Sequence, residues 1–234
     1  MRRNLHILLV ILFASLFLSA TKPKVFICNY TDDFIIIDAK LKEWKNAKTI
    51  TLRDITGESD NVLKIKTLWD NENLYFAFIV KDDDLEAKQH LIDHPELYLD
   101  DMIEFLLDAY NEKDSCWNQN KLIYHINLLG QKKDDRGNSE CVSDWRWNGN
   151  AHYAISLKGT LNDSTDIDDG YIVEISISWD ELGIRPSSGL KIGADFVCGD
   201  CDYKGNCFFD WVEANPFRSP YAFGDIVLIK HHNH

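Results

Sequence analysis

The sequence predicts an all-β fold, an antiparallel β-sandwich of the jelly-roll kind. Two observations carry this prediction. Short segments in which apolar and polar residues alternate recur along the chain, with turn-forming residues between them. Almost nowhere do apolar residues recur at the spacing of an amphipathic helix. Eight or more strands are therefore expected in one layered domain.

The N-terminus has the pattern of a signal peptide, which we assign to residues 1–20. Arg2 and Arg3 precede an apolar run over residues 7–18, and the small residues Ser19 and Ala20 follow it. The run is shorter than the roughly 20 residues that span a bilayer. We expect an exported protein that is secreted, periplasmic or exposed at the cell surface. Residues 21–234 are predicted to form one domain with no transmembrane segment.

The first elements of the mature chain are predicted as a strand over residues 34–37 and a hairpin. Leu41 and Trp44 follow the first strand and are expected to close one end of the core. Residues 63–69 and 74–80 alternate as strands, and the Asp/Asn-rich residues 70–73 form the turn between them.

The stretch over residues 98–108, read as a strand, is the most informative part of the chain. One of its faces is wholly apolar, whereas the other carries Glu104. A buried carboxylate must be paired, hydrogen-bonded or turned toward a wet groove. Tyr98 stands just before the alternating part of the strand, where its ring could lie over such a groove. An aromatic ring beside an acid suits a sugar, because the ring stacks on the C–H face and the acid accepts the hydroxyl hydrogens. The alternative is that Glu104 pairs with a Lys or Arg on a neighbouring strand and Tyr98 covers the sheet edge.

The later elements follow the same alternation. Residues 122–129 form a strand with Ile123, His125 and Asn127 on one face. Residues 171–179 point their large apolar side chains inward and Glu174 outward. We predict the remaining elements at residues 151–158, 192–198 and 225–230 as strands, and residues 180–183 as one helical turn or a tight loop.

The formal net charge of −13 makes nucleic acid an improbable partner, because an acidic surface repels phosphate groups. It suits neutral ligands or calcium. Two acidic segments, residues 82–84 and 163–169, are candidates for a structural calcium site built from carboxylate and carbonyl oxygens. No other cofactor is expected.

Six cysteines lie in the predicted exported domain, and disulfides are the default in that setting. Six cysteines allow 15 pairings, among which the sequence does not choose. A zinc site of three thiolates, with a further Cys or His, is the alternative for the Cys198–Cys207 segment. The disulfide candidates are Cys28, Cys116, Cys141, Cys198, Cys201 and Cys207.

Five segments, in order, resemble carbohydrate-binding module family 9. They are Ile-Asp-Ala-Lys-Leu-Lys-Glu-Trp at 37–44, the hairpin at 68–82, Asp-Met-Ile-Glu-Phe-Leu-Leu-Asp at 101–108, the strand at 170–179 and Phe-Gly-Asp-Ile-Val-Leu-Ile at 223–229. The resemblance implies a β-sandwich that often carries calcium and clamps a sugar between two aromatic rings.

The resemblance also implies site residues. Tyr98 and Phe217 take the positions of two clamp tryptophans, and His125 takes that of an arginine. Glu104 corresponds to a glutamate that contacts sugar hydroxyls. Because three of these positions differ from the family pattern, the family's sugar preference is not carried over. Further candidate contacts are Asn127, Asn215, Arg218 and Trp117.

The leading hypothesis is a secreted, non-catalytic module that binds an oligo- or polysaccharide. It would work either beside separate polysaccharide-degrading enzymes or as a free-standing sugar binder at the surface or in the periplasm. Three alternatives stay open. The first is a structural or protein-interaction sandwich whose groove has lost sugar binding. The second is a glycoside hydrolase, which would need a close pair of carboxyl groups supplied by two strands. The third is a haem-binding sandwich that would use Met102 and His125 as ligands.

Overall fold

The computed structural model describes residues 23–202 and 205–231, and it confirms the all-β prediction. The predicted signal peptide lies outside these residues. The strands are β1 (Val25–Tyr30), β2 (Lys48–Arg53), β3 (Val62–Trp69), β4 (Asn73–Lys81), β5 (Met102–Asp108), β6 (Lys121–Asn127), β7 (Lys132–Gly137), β8 (Ser143–Asp144), β9 (His152–Lys158), β10 (Gly170–Ser178), β11 (Lys191–Asp202), β12 (Gly205–Asp210) and β13 (Gly224–Ile229). The predicted helical turn is α1 (Trp179–Leu182), and short 3-10 turns occupy Trp44–Asn46, Leu97–Leu99 and Pro220–Ala222.

The strands form one curled sheet in the order β8-β7-β6-β5-β11-β13-β1-β3-β4-β10-β9, with β12 added to β11 and β2 added to β3. Strand β1, which the sequence did not predict, joins the two halves. It runs parallel to β13 on one side and to β3 on the other, whereas the other pairings within the described residues are antiparallel. The antiparallel prediction therefore needs correction at β1.

The curl brings the inner faces of the two halves together as a sandwich. Phe76 of β4 lies 5.6 Å from Phe105 of β5 and 5.5 Å from Phe196 of β11, measured between ring centroids. These rings are fully buried. Each contributes roughly 1.5–3 kcal/mol through burial. The predicted inner face of β5 is thus confirmed, and the opposite face is free to build a site.

The predicted strand at residues 34–37 is wrong. These residues lie as an extended segment across the outer face of β4 and β10, with Ile35 and Trp44 in a small second core. Glu174 holds the segment there, because its carboxylate accepts the backbone N–H of Asp38 and Ala39 and the indole N–H of Trp44. Glu174, predicted to face outward, does so but is completely covered.

Among the described residues, the helical turns are all too short to cross a bilayer.

Candidate functional site

A row of side chains crosses the outer face of one half of the sheet. Glu104 of β5 lies directly opposite His125 of β6, and His125 lies directly opposite Lys133 of β7. Residues directly opposite one another on neighbouring strands project to the same face. The alternation that buries Phe105 therefore presents Glu104, His125 and Lys133 together on the other side.

Glu104 is fully buried and doubly paired. Arg218 donates from Nε to Oε1 at 2.7 Å and from Nη2 to Oε2 at 2.5 Å. His125 Nδ1 lies 3.0 Å from Oε2. Burial alone would raise the pKa of this carboxyl, but His125 and Arg218 outweigh it and hold the pKa at about 2. Glu104 is thus an ionised acceptor with both oxygens occupied.

A cavity of about 250 Å³ opens above this ion pair. Three aromatic rings stand around it, from Tyr98, Phe208 and Phe217, with exposed fractions of 44%, 37% and 43%. Exposure of this extent in three neighbouring rings leaves apolar surface available to a ligand. Its other lining residues are His125, Lys133 and Arg218.

Buried hydrogen bonds hold Tyr98 at the edge of the cavity. It lies in the 3-10 turn before β5, and Asp100 ends that turn by accepting the backbone N–H of Lys88 and Gln89. Asn127 donates its amide to the Asp100 carboxylate at 2.8 Å. Asn127, predicted to contact sugar, is fully buried and does not line the cavity. Its place is beneath the loop that carries Tyr98.

The loop between β12 and β13 supplies Phe217 and Arg218. Asn215 and Pro216 are joined by a cis peptide bond, and the Ser219 hydroxyl donates to the Pro216 carbonyl at 2.5 Å. The Arg218 guanidinium lies over the Phe217 ring, 5.4 Å from its centroid. Asn215, predicted beside them, lines a different cavity with Tyr221.

Trp117, the predicted replacement stacking surface, does not line the cavity either. Its ring packs edge-on against Phe223, with 6.3 Å between the centroids. It covers a cluster that includes Leu106 and Ile123, which lie farther along the same outer face of β5 and β6. The structure therefore brings together Tyr98, Glu104, His125, Phe217 and Arg218, and leaves Asn127, Asn215 and Trp117 outside.

Sequence reasoning missed two lining residues, Phe208 and Lys133. Phe208 lies on β12, and Asn206 of that strand donates its amide to the carbonyl of Tyr98 at 3.1 Å. The three residues Cys207–Phe209 are all apolar and do not alternate with polar residues, so the sequence does not indicate which of their side chains faces outward. Lys133 lies in a charged stretch with no apolar alternation, so its position became visible only through the pairing of β7 with His125.

A cluster of three buried carboxylates lies elsewhere, where Asp82 follows β4, Asp101 precedes β5 and Asp200 belongs to β11. One ligand oxygen of each lies within 4.8 Å of the others. Burial raises the pKa values of Asp82 and Asp101, and repulsion between the carboxylates raises them further. The donor set of hard oxygens suits calcium.

In the other predicted calcium segment, residues 163–169, the carboxylates of Asp163 and Asp168 accept backbone hydrogen bonds. Asp168 accepts the backbone N–H of Leu85 and Thr160, and Asp163 accepts that of Thr165. Among the described residues, the search for three clustered metal-ligating side chains finds the Asp82 group alone.

Of the six cysteines, Cys116 and Cys141 form a disulfide, and the other four are free thiols. The disulfide prediction is therefore wrong for Cys28, Cys198, Cys201 and Cys207. Cys28 and Cys198 are fully buried in the main core. Cys201 and Cys207 lie on adjacent strands but face Asn206 and Asp200 rather than each other. The zinc alternative fails as well, because Cys141 is oxidised and Cys198 points into the core.

A known protein family matches the part of the chain that contains this site. A family model described as a carbohydrate family 9 binding domain-like domain matches residues 37–231. The chain belongs to this family. The five sequence segments that resemble family 9 are thereby confirmed as a family relationship.

This family 9 domain is similar to part of a xylanase sequence and to solved structures of family 9 modules. It is 27% identical over 203 residues to endo-1,4-beta-xylanase A of Thermotoga neapolitana, covering 83% of this chain and 17% of that enzyme. A family 9 module from Caldicellulosiruptor kristjanssonii in complex with cellotriose aligns with a TM-score of 0.69 and 21% identity, over 90% of this chain and 96% of that one. A family 9 module from the same organism in complex with glucose gives a TM-score of 0.66 and 21% identity, over 90% of this chain and 98% of that one. These alignments confirm the fold.

Proposed function

We propose that this chain is a non-catalytic module that binds carbohydrate in the cavity lined by Tyr98, Phe208 and Phe217. The observation that carries the proposal is the combination of three half-exposed rings with a charged floor. Aromatic faces favour the C–H face of a sugar ring, and the floor offers hydrogen bonds to hydroxyls.

The binding energy would come mostly from stacking. A ring contact contributes about 0.5–1.5 kcal/mol beyond area burial, by analogy with aromatic pairs. A guanidinium has five N–H donors, and Glu104 engages two of those on Arg218. The remaining donors form no hydrogen bond to any residue that the structure describes, so they can bind hydroxyl oxygens. Such a site supports affinities in the micromolar range, about −8 kcal/mol.

Glu104 acts indirectly in this proposal. The sequence suggested direct contact with sugar hydroxyls, but the carboxylate is fully buried and both oxygens are engaged. We assign it the role of positioning Arg218 and His125. With Nδ1 donating to an ionised Glu104, Nε2 of His125 stays free to bind a ligand.

The family relationship supports the ligand class, because the related Caldicellulosiruptor kristjanssonii module was solved with cellotriose and with glucose. Export follows from the predicted signal peptide. The chain spans 17% of the length of the Thermotoga neapolitana xylanase. Because the relatives that it matches include xylanases, assistance to polysaccharide-degrading enzymes is part of the proposal.

The cavity chemistry favours binding over catalysis. None of the six described lining residues is an Asp or Glu. The acid beneath the cavity has a pKa of about 2, whereas a glycosidase needs a proton-donating acid with a raised pKa. Haem ligation is disfavoured because Met102 is buried and His125 is engaged by Glu104.

We also propose that Asp82, Asp101 and Asp200 hold a structural calcium ion. Three buried carboxylates fit a hard divalent cation. Bound calcium would offset their mutual repulsion and tie together the end of β4, the start of β5 and β11.

The test is a glycan array with pull-down on insoluble polysaccharides, using the chain without residues 1–20. Tyr98→Ala combined with Phe217→Ala should abolish retention without lowering the melting temperature. Phe34→Ala, which removes an 84% exposed ring elsewhere, is the matched control and should bind like wild type. If the folded wild type binds no glycan, the protein-interaction alternative is favoured instead.

A further inference from the structure

Lys133 is the charged group in the cavity that the sugar-binding account leaves unused. It is half-buried and lines the cavity beside His125. Its ammonium group forms no ion pair and no hydrogen bond with any residue in the described ranges 23–202 and 205–231. A partly desolvated ammonium without a counter-ion is costly.

The neighbouring acids do not neutralise Lys133. Glu104 is occupied by Arg218 and His125. Asp134 projects to the opposite face of β7, where it is buried and paired with Lys132 at 2.8 Å. Asp135 lies on the same face as Lys133 but forms no ion pair with it. Arg218 and Glu104 cancel, so Lys133 leaves the cavity with a positive charge.

This positive cavity stands on a chain with a formal net charge of −13. The acidic surface as a whole repels anions, so attraction must be local and must come from the cavity itself. A neutral sugar would use the rings and the Arg218 donors but leave the ammonium unpaired. A sugar with a carboxylate would use the rings and the Arg218 donors and would also pair with the ammonium group of Lys133.

Resting on the proposed function, we propose that the preferred ligand is an acidic glycan whose bound sugar is a hexuronic acid, with its carboxylate paired to Lys133. A uronate keeps the pyranose ring that the aromatic residues stack against. It differs from the neutral hexose by having a carboxylate in place of the hydroxymethyl group. Lys133 is in this view the residue that decides between acidic and neutral sugars.

The experiment is calorimetric titration with matched pairs of oligosaccharides, terminated by glucuronate or glucose and by galacturonate or galactose. We expect the wild type to bind the acidic member about 3- to 10-fold more tightly at low salt. That preference should shrink as the salt concentration rises from about 0.02 M to about 0.5 M. Sulfated sugars form a third arm that distinguishes carboxylates from other anions.

Three variants complete the design. Lys133→Gln, which keeps a hydrogen-bond donor but removes the charge, should bring the acidic-to-neutral ratio close to one. Lys133→Arg should retain the preference. Lys48→Gln removes an exposed lysine on β2, outside the cavity, and should leave the ratio unchanged.

Equal binding of both members by the wild type would overturn the inference and leave the proposed function standing. So would a Lys133→Gln variant that weakens both members equally, since Lys133 would then serve neutral hydroxyls. Binding of sulfated sugars without binding of uronates would overturn the carboxylate assignment. Failure to bind any sugar, with the fold intact, would instead contradict the proposed function.

Discussion

Arg218 and Glu104, 114 residues apart in the sequence, form a two-bond ion pair beneath the aromatic cavity. The pair fixes the loop that carries Phe217 onto the outer face of β5. Because Arg218 is partly exposed and Glu104 fully buried, the pair links the interior of the sheet to the surface that a ligand would meet.

Replacing Glu104 with Gln should therefore reduce both stability and ligand binding. The variant loses the charge that pairs with Arg218, and breaking a buried pair costs about 3 kcal/mol. Urea unfolding measures the first effect and titration with the array-selected glycan the second. Glu58→Gln, at an exposed position, is the control. Unchanged stability in Glu104→Gln would contradict the role assigned to the pair.

The same pair predicts sensitivity to acid. The pKa of Glu104 is held at about 2 in the folded chain, below its ordinary value of 4.5. Its stabilisation is therefore complete above about pH 4.5 and is lost as the pH falls toward 2, by an amount on the order of 3 kcal/mol. The difference in unfolding free energy between wild type and Glu104→Gln should shrink between pH 7 and pH 3. A constant difference would argue against it.

Calcium should stabilise the chain, most strongly at neutral and higher pH. In the metal-free chain the raised pKa values of Asp82 and Asp101 favour the unfolded state as the pH rises above about 4, because unfolded carboxyls ionise first. Bound calcium reverses this. Melting temperatures with calcium and with chelator should differ more at pH 8 than at pH 5.

Asp101→Asn sharpens the calcium test. It should remove the calcium-dependent shift. In chelator the melting temperature should stay close to that of wild type, because the relief of repulsion is offset by the loss of one of the two backbone hydrogen bonds that the Asp101 carboxylate accepts from Glu86 and Cys201. Asp163→Asn, in the exposed turn, should behave like wild type. An equal calcium response in Asp101→Asn would exclude this cluster as the calcium site.

The Cys116–Cys141 disulfide closes a loop with a sequence separation of 25. Loop-closure entropy predicts that Cys116→Ser with Cys141→Ser loses roughly 3 kcal/mol, or about 6–12 °C in melting temperature. Neither cysteine lines the aromatic cavity, so sugar binding should persist. Cys201→Ser, which removes a free thiol, is the control. A control that melts as low as the double variant would contradict the pairing.

Much of the site was readable from the sequence because alternation and spacing encode it. The period of two in β5 placed Glu104 opposite the core, and family spacing marked Tyr98, Phe217 and Arg218. The sequence did not mark Lys133 and Phe208 as lining residues. Whether their side chains line the cavity depends on which strands pair, and the charged sequence of β7 does not reveal its pairing. Asn127 faces the same side of the sheet as His125, but the loop that carries Tyr98 covers it, and the sequence does not show that cover.

The fold was predicted with the same strengths and gaps. Strands with strong alternation, such as β3, β4, β5 and β10, were found. β2 and β7 were missed because charged and polar residues dominate them. The apolar run at residues 34–37 has the composition of a strand, yet its apolar side chains cover the sheet over Glu174 and the segment does not pair within the sheet.

The most direct test of the central claim is a crystal structure of the chain with the tightest-binding glycan from the array. We expect a sugar ring in the cavity, in contact with Tyr98 and Phe217 and hydrogen-bonded to Arg218 or His125. A sugar bound anywhere else on the chain, with this cavity empty at saturating ligand, would contradict it.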